Sequence, residues 1–339
     1  MNFPLRLGVI GVDHGHIVGM VRGMLNAGAE LAGWAAQAAT PLTMLREFGQ
    51  AFPEAPMLEE EELLQDESIT LILTAAVNSE RAAVAIRAMR HGKDVLTDKP
   101  GCTDLKQLAD LRETVAATGR RWAVCFSERL AVESATLADQ LIAQGRIGEV
   151  VQTVGLGPHR LNAANRPAWF WDRARTGGIL TDICAHQFDQ FLHFTGSTEA
   201  RIVTAVIGNV ANPERPDFQD FGEVLLEGNG GRGYARVDWL TPQGLPTWGD
   251  GRMTILGTRG YIELRKYIDI GGQGGTDHVF LVDDTGLQRF QAQGAGTPFF
   301  ARLLQDVVER TDVAMSQAHA FLATELSLAA QQMAEEARA

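Results

Sequence analysis

Short apolar stretches alternate with amphipathic stretches along the first part of the chain. Strands are predicted at 5–10, 30–35, 69–74, 94–97 and 122–126. Helices are predicted between them at 16–27, 41–48, 59–65, 79–91 and 103–118, with Thr103 as the N-cap of the last one. Buried parallel strands are short and apolar, and crossover helices join them. This pattern therefore predicts an α/β fold with a doubly wound parallel sheet.

The pattern changes after about residue 129. A helix at 131–144 and a strand near 150–155 precede an irregular loop at 159–176 and one helix over 177–192. Strands follow at 200–210, 220–227, 232–240, 253–256, 261–268 and 279–283, with hairpin signals GNGG at 228–231 and GTRG at 257–260. Helices run from residue 298 to the end. We expect two domains, 1–126 and 127–339, the second an α+β domain with a mostly antiparallel open sheet.

The predicted helix over 177–192 carries ionisable groups on one face. Asp182, His186 and Asp189 are spaced four and three residues apart, so their side chains can meet. A carboxylate that orients an imidazole is a unit of proton-transfer catalysis. The same arrangement also occurs as a buried polar network in a core helix, and this segment alone does not decide between the two.

Composition narrows the possible partners. The 339 residues are 45% hydrophobic, and 42 acidic against 30 basic residues give a net charge of −12. This balance disfavours nucleic acid and anionic membranes as partners, because both require basic surfaces. Cys102, Cys125 and Cys184 are expected to be free thiols in a reducing compartment. With no signal-like or membrane-spanning segment apparent, we expect a cytoplasmic protein.

The turn after the first strand is rich in glycine and histidine. A dinucleotide-binding fingerprint would place glycines at 11, 13 and 16, but only Gly11 fits, and Gly15 is displaced by one. Asp13 would repel a phosphate unless it caps the helix, whereas His14 or His16 could donate to one. Alternatively, His14 and His16 are metal ligands of a hydrolase, with a site completed by Lys99, His159, His186 and Asp182. The division of the chain does not match the eightfold barrel of such hydrolases.

Two further strand ends bear on ligand binding. The second strand ends in Ala36 and Gln37, where an acid often binds the ribose hydroxyl, so the choice between NAD and NADP stays open. Lys99, in the segment TDKP, follows the fourth strand at the edge where such sheets bind ligands. A lysine in a surface turn is the alternative interpretation.

Three segments together resemble the Gfo/Idh/MocA family of sugar and polyol oxidoreductases: GVIG, AIRAMRHGKDVLTDKPG and GGILTDICAHQFD. The family usually has Glu-Lys-Pro after a strand and later a glycine-led Asp-x-x-x-His. These correspond here to Asp98-Lys99-Pro100 and to Asp182 with His186. The chain departs from the family pattern in its degenerate glycine turn, in Asp98 replacing Glu, and in the segment from Thr74 to Arg81, which lacks the usual Thr-Pro and His.

The resemblance implies a Rossmann-type first domain and an enzyme that transfers hydride between NAD or NADP and a CH–OH carbon of a small polyhydroxylated substrate. His186 would be the general base, Asp182 its support, and Lys99 the donor to the reacting oxygen, with no metal. The implied cofactor-binding residues are Gly11, Val12, Asp13, His14, Gly15, His16, Thr74, Ala75, Ala76, Asp98, Lys99 and Pro100. The resemblance also implies a homodimer or homotetramer through the second sheet. A non-catalytic sugar or nucleotide sensor remains an alternative to the enzyme.

Several side chains near the implied site suit a polyhydroxylated ligand, because tryptophan faces stack on C–H groups while charged groups bind hydroxyls. The candidate substrate-binding residues are Arg129, His159, Trp171, Arg173 and Trp239. Arg166 and Trp248 lie in the same stretches. Buried tryptophans and surface ion pairs are the alternative interpretation.

Overall fold

The computed structural model describes residues 5–38 and 40–338. The strands are β1 (Arg6–Val12), β2 (Glu30–Ala35), β3 (Ile69–Ala75), β4 (Asp94–Asp98), β5 (Trp122–Cys125), β6 (Val150–Pro158), β7 (Ala200–Gly208), β8 (Phe221–Gly228), β9 (Gly231–Asp238), β10 (Arg252–Gly257), β11 (Gly260–Arg265), β12 (His278–Asp283) and β13 (Gly286–Gln291). The helices are α1 (His16–Asn26), α2 (Leu42–Ala51), α3 (Glu60–Gln65), α4 (Arg81–Arg90), α5 (Leu105–Thr118), α6 (Ser127–Leu130), α7 (Glu133–Ala143), α8 (Arg173–Thr176), α9 (Ile179–Asp182), α10 (Ala185–Thr195), α11 (Phe299–Glu309) and α12 (Gln317–Glu336).

The chain divides into two compact units. The first contains the chain up to Cys125 together with Ala174–Gly177 and Pro298–Phe321. The second contains Phe126–Arg173, Gly178–Thr297 and the chain from Leu322 onward. Each unit is built around its own sheet.

The first unit is a five-stranded parallel sheet in the order β2-β1-β3-β4-β5. Most residues of its strands are apolar, and Leu7, Val9, Ile72 and Val95 are fully buried. This confirms the predicted parallel α/β sheet. The strand order reverses direction between β1 and β3, and open sheets bind ligands at the carboxyl ends of strands beside such a switch.

The second unit is an eight-stranded sheet in the order β13-β12-β11-β10-β6-β9-β8-β7. All neighbours are antiparallel except β6 and β9, which pair in parallel. The predicted turns at GNGG and GTRG join β8 to β9 and β10 to β11, as expected. Helix α10 packs on β6 and β9. The mostly antiparallel second sheet is therefore confirmed.

Two local predictions were wrong. The segment 177–192 is not one helix, because α9 ends at Asp182 and α10 begins at Ala185. Asp182 therefore lies at the end of one helix and His186 in the first turn of the next. The N-cap of α5 is Asp104 rather than Thr103, and its carboxylate accepts a hydrogen bond from the Gln107 amide at 2.8 Å.

The three cysteines are buried, and none forms a disulfide. Burial raises the pKa of the Cys184 thiol, so this cysteine stays protonated and is not an activated nucleophile. Within the described part of the chain, no helix combines the length and the apolar character that a membrane crossing requires.

Candidate active site

The turn between β1 and α1 has an open helix N-terminus. Gly15 is the N-cap of α1, and no side chain caps the helix there. A Cβ built on Gly15 would meet no atom within 4 Å, so space is open beside this residue. The free amides of a first helical turn bind phosphate through their hydrogen bonds and the helix dipole. Gly11 has a φ of 83°, and a Cβ there would lie 2.6 Å from the Cβ of Ala76. Only glycine fits that position.

Side chains of this turn contact a buried carboxylate at the end of β4. Asp98, at the end of β4, has one oxygen 3.0 Å from Nδ1 of His16. Its other oxygen lies 3.1 Å from Nδ1 of His14 and 3.1 Å from a guanidinium nitrogen of Arg81. Arg81 is completely buried. The structure therefore brings together His14, His16 and Asp98, which the sequence predicted as site residues, and adds an arginine that the prediction missed.

The charges in this cluster favour an ionised carboxylate and a neutral His14. Burial alone would raise the pKa of Asp98, but His16 and Arg81 hold it well below its usual range. Loss of hydration and the neighbouring His16 lower the pKa of His14 to about 4. Burial raises the pKa of Asp13.

His14, His16 and Asp98 also offer three possible metal-ligand atoms within 4.8 Å of one another. A cation at this place would meet the guanidinium of Arg81, which is already hydrogen-bonded to Asp98 at 3.1 Å. Lys99, the next residue, adds a second positive charge whose repulsion acts on His14. The charge environment therefore disfavours a divalent cation, and with it the hydrolase alternative.

Arg81 ties together the carboxyl ends of β3 and β4. Its Nε donates to the Ala76 carbonyl at 2.8 Å, and its guanidinium also donates to the carbonyls of Lys99 and Pro100. The Thr74 hydroxyl accepts from the Ala76 amide at 3.3 Å. The side chain of Lys99 is buried, which excludes the interpretation as a lysine in a surface turn. The predicted residues at 74–76 and 98–100 thus lie at one edge of the sheet, where the hydrogen bonds of Arg81 hold the two segments together.

Ala36 and Gln37 follow β2 at the positions where an acid often binds the ribose. The side-chain amide of Gln37 donates to Glu60 at 3.0 Å, and the backbone amide of Gln37 donates to the Thr40 hydroxyl.

In the second unit, aromatic side chains surround Arg166 and His159. The Arg166 guanidinium lies 4.4 Å from the centre of the Phe170 ring and 4.6 Å from that of Trp239. Burial lowers the pKa of Arg166, and the Asp182 carboxylate partly opposes this effect. The His159 ring packs against Trp248 and Trp239, with ring centres 4.5 and 5.4 Å away. Asp182, His159 and Trp239, all predicted site residues, therefore belong to one region.

A second group of buried charges lies beside α10. Glu128 accepts hydrogen bonds from the side chains of Gln187 and Lys266, both at 3.1 Å, and Lys266 also donates to Gln190 at 2.6 Å. His186 is 1% exposed, and its imidazole lowers the pKa of Glu128. Sequence reasoning missed Glu128 and Lys266. The only available signal was a charged residue soon after a buried strand, three residues after β5 for Glu128 and directly after β11 for Lys266.

The other predicted substrate-binding residues have partners of their own. Arg129 forms two hydrogen bonds with Asp189, at 2.6 and 2.7 Å, and Arg173 pairs with Glu335. Trp171 packs on Phe218, with the Arg215 guanidinium 3.6 Å from its ring centre. Binding of substrate by Arg129, Trp171 or Arg173 stays a prediction.

Comparison with known proteins identifies the family. Residues 5–126 match the oxidoreductase family with an NAD-binding Rossmann fold, and residues 136–263 match the GFO/IDH/MocA C-terminal domain. A putative oxidoreductase from Erwinia carotovora atroseptica SCRI1043 is 47% identical, with a TM-score of 0.93 over 97% of this chain and 98% of that one. The chain belongs to the GFO/IDH/MocA family.

More distant relatives share the fold or part of the sequence. A structure of levoglucosan dehydrogenase in complex with NADH and levoglucosan shares the fold, with a TM-score of 0.80 over 98% of each chain at 18% identity. The scyllo-inositol 2-dehydrogenase (NAD(+)) of Bacillus subtilis is 26% identical over 207 residues, which are 59% of this chain and 56% of that protein. The chain matches between about a third and just over half of the length of its curated relatives. The first part of the chain is an NAD-binding Rossmann domain of an oxidoreductase family, and the comparisons favour neither the hydrolase nor the sensor.

Proposed function

We propose that the protein is an NAD(P)-dependent dehydrogenase that oxidises a CH–OH group of a small sugar or polyol, or reduces the corresponding carbonyl. One observation carries the proposal: the open N-terminus of α1, the end of β3 and the buried Lys99 after β4 lie at one edge of the parallel sheet. This is the edge at which such sheets bind dinucleotides. The relatives that act on inositol and levoglucosan support the substrate class.

The residues of the first unit fit a dinucleotide. The amides at the start of α1 would hold the pyrophosphate, with Gly11, Val12, Asp13, His14, Gly15 and His16 forming the turn. Thr74, Ala75 and Ala76 would flank it from β3, and Asp98, Lys99 and Pro100 from β4. When bound, the nicotinamide ring supplies or accepts the hydride. Because no acid follows β2, the proposal leaves NAD and NADP as equal candidates.

The proposed catalytic groups are Lys99, Asp182 and His186. His186 takes the hydroxyl proton as the hydride leaves, and a neutral imidazole suits this task near neutral pH. Lys99 donates to the reacting oxygen and stabilises its developing negative charge. Asp182 supports His186 or binds a substrate hydroxyl. His159 and Trp239, with Arg166 beside them, would bind the substrate.

A binding titration followed by an activity assay tests this function. We expect NADH or NADPH to bind, as seen by fluorescence, and a panel of sugars and polyols to give absorbance at 340 nm with the oxidised cofactor. Absence of binding for both cofactors would contradict the proposal.

Substitution of the proposed catalytic groups tests their roles. Lys99→Ala and His186→Ala should each lower kcat by about two to four orders of magnitude and leave cofactor binding largely intact. Lys106→Ala is the matched control, because Lys106 is exposed and paired with Asp110 on the outside of α5. Near-normal turnover in either test variant would rule out the assigned role.

We also propose a homodimer or homotetramer formed through the second sheet, and a cytoplasmic location. The three buried cysteines that form no disulfide suit a reducing compartment. The proposed small-molecule substrate needs neither nucleic acid nor a membrane as a partner.

A further inference from the structure

A gain in the free energy of folding does not explain why Glu128 and Lys266 form a buried ion pair. Lys266 is completely buried and Glu128 is 2% exposed. Removing two such charges from water costs about as much free energy as their attraction returns, so a well-packed apolar pair would stabilise the fold at least as well. Buried charges of this kind are more common at functional sites than in ordinary cores.

The hydrogen bonds of this ion pair connect it to the segment of α10 that carries His186. Gln187, the residue after His186, donates to Oε2 of Glu128 at 3.1 Å. Gln190 accepts from Lys266 at 2.6 Å and donates to the backbone carbonyl of His186 at 2.9 Å. The carboxylate is therefore bound directly by the residue after His186, and its partner Lys266 is connected through Gln190 to the His186 carbonyl.

The backbone of β6 makes room for this network. A Cβ on Gly155 would lie 2.1 Å from Oε1 of Gln187, and one on Gly157 would lie 3.0 Å from its Nε2. Glycine at these two places lets the Gln187 side chain reach Glu128. The helix-to-strand packing is thus shaped around the polar network.

The second carboxylate oxygen of Glu128 lies near an imidazole and accepts no hydrogen bond in the described part of the chain. Oε2 accepts both hydrogen bonds, while the buried Oε1 has no hydrogen-bond partner among the described residues. Oε1 lies 3.9 Å from Nε2 of His159, and Glu128 also attracts the His186 imidazole. A buried carboxylate oxygen without a donor gains most from a neighbouring imidazole that becomes positively charged.

We propose that Glu128 is a positioning residue that acts through His186, stabilising the imidazolium that forms when His186 accepts the substrate proton. Lys266 keeps the carboxylate ionised, and Gln187 holds its orientation. This inference rests on the proposed role of His186 as the general base, and it adds a second acidic group besides Asp182.

Several other ionisable groups surround Glu128. Lys266 is its cation, and His159 and His186 face it from the end of β6 and from α10. The buried Cys184 and the half-buried Tyr267 lie beside it, and loss of hydration together with the carboxylate raises the pKa of both. Asp189 and Asp277 act on Lys266. Within this set, histidine is the only residue type whose ordinary pKa lies near neutral pH.

The test measures the pKa of His186 directly, without substrate, by NMR of the ¹⁵N-histidine-labelled full chain. The chain has 8 histidines, and His186→Ala identifies the His186 signals. We expect Glu128→Gln to lower the pKa of His186 by about one unit, because an opposite charge nearby is lost. The acidic limb of the pH profile of kcat/KM should move to lower pH by the same amount.

Asp220→Asn is the control for loss of a buried carboxylate. Asp220 caps the backbone at Val210 and Ala211, so its substitution should not change the His186 pKa. If Glu128→Gln does not fold, Glu128→Gln with Lys266→Met removes both charges, and a smaller decrease of the pKa is expected. An unchanged or higher His186 pKa in whichever folded variant is measured overturns the inference. If no substrate is turned over by the wild type, the proposed function fails while the NMR result still stands.

Discussion

At the scale of single residues, the sequence indicated some chemical groups and missed others for a physical reason. Lys99 and His186 were recognisable because they belong to local motifs. Arg81, Glu128 and Lys266 were not, because the burial of a charge depends on partners far away in the chain. Glu128 and Lys266 are 138 residues apart, and Arg81 and Asp98 are 17 apart. A single sequence contains no local signal that pairs these residues with one another.

His14 should make the protein less stable in mild acid. Its pKa is lowered from 6.5 to about 4 in the folded state, so below pH 6.5 the unfolded chain takes up a proton that the folded chain does not. The free energy of unfolding should therefore fall between pH 6.5 and about 4 and show no further His14 contribution below that range.

His14→Gln removes this contribution. Between pH 7.5 and 5.5, urea unfolding should show a loss of stability about 1 kcal/mol smaller in His14→Gln than in the wild type. His319→Gln is the control, because His319 lies in α12 and not in the β1–α1 turn. Equal losses in His14→Gln and the wild type would show that His14 does not titrate abnormally.

At the scale of elements, periodicity predicted most helices and strands but not their interruptions. The segment 177–192 has a continuous apolar pattern, yet the helix stops at Asp182 and restarts at Ala185. Gly178 has a φ of 83°, and a Cβ there would lie 2.4 Å from the side chain of Gln331. The local geometry therefore depends on a residue of α12, which periodicity cannot reveal.

The two glycines of the β1–α1 turn should respond differently to alanine. Gly11→Ala forces a Cβ against Ala76 at a left-handed φ and should cost about 1–3 kcal/mol in the free energy of unfolding. Gly15 has a φ of −61° with open space beside it. Gly15→Ala should therefore change the free energy of unfolding by only a few tenths of a kcal/mol. Urea unfolding measures both.

The same pair of variants separates folding from binding. Because the space beside Gly15 is where we place the cofactor, Gly15→Ala should weaken NADH or NADPH binding without a matching loss of stability. Equal stability losses in the two variants would contradict the described conformation of the turn.

At the scale of the whole molecule, the division into a parallel and a mostly antiparallel sheet was predictable, because strand length, helix spacing and hairpin turns are local signals. The strand order was not. β6 pairs with β10 on one side and in parallel with β9 on the other, and both partners are distant in the chain. Strand β13, with mostly exposed or half-buried residues, was also missed.

The open face of the second sheet should form the contact between subunits. Leu256 and Tyr261 are paired across β10 and β11, face away from the core, and are 41% and 40% exposed. Leu256→Lys should lower the assembly's mass in light scattering after gel filtration, because a buried unpaired charge disfavours association. Val308→Lys, on the exposed side of α11, is the control. A monomeric wild type would contradict this assembly.

The late segment Pro298–Phe321 within the first unit has a consequence for synthesis on the ribosome. Phe300 packs so closely on α1 that a Cβ on Gly23 would lie 2.5 Å from its ring. Phe321 stacks on the buried Trp122, and Gln317 hydrogen-bonds both the amide and the carbonyl of Trp122. A nascent chain that has emerged only as far as β5 lacks all three of these contacts. The core of the first sheet can therefore close only after residues 298–321 have been synthesised, and a fragment ending at β5 would leave Trp122 uncovered and prone to aggregation.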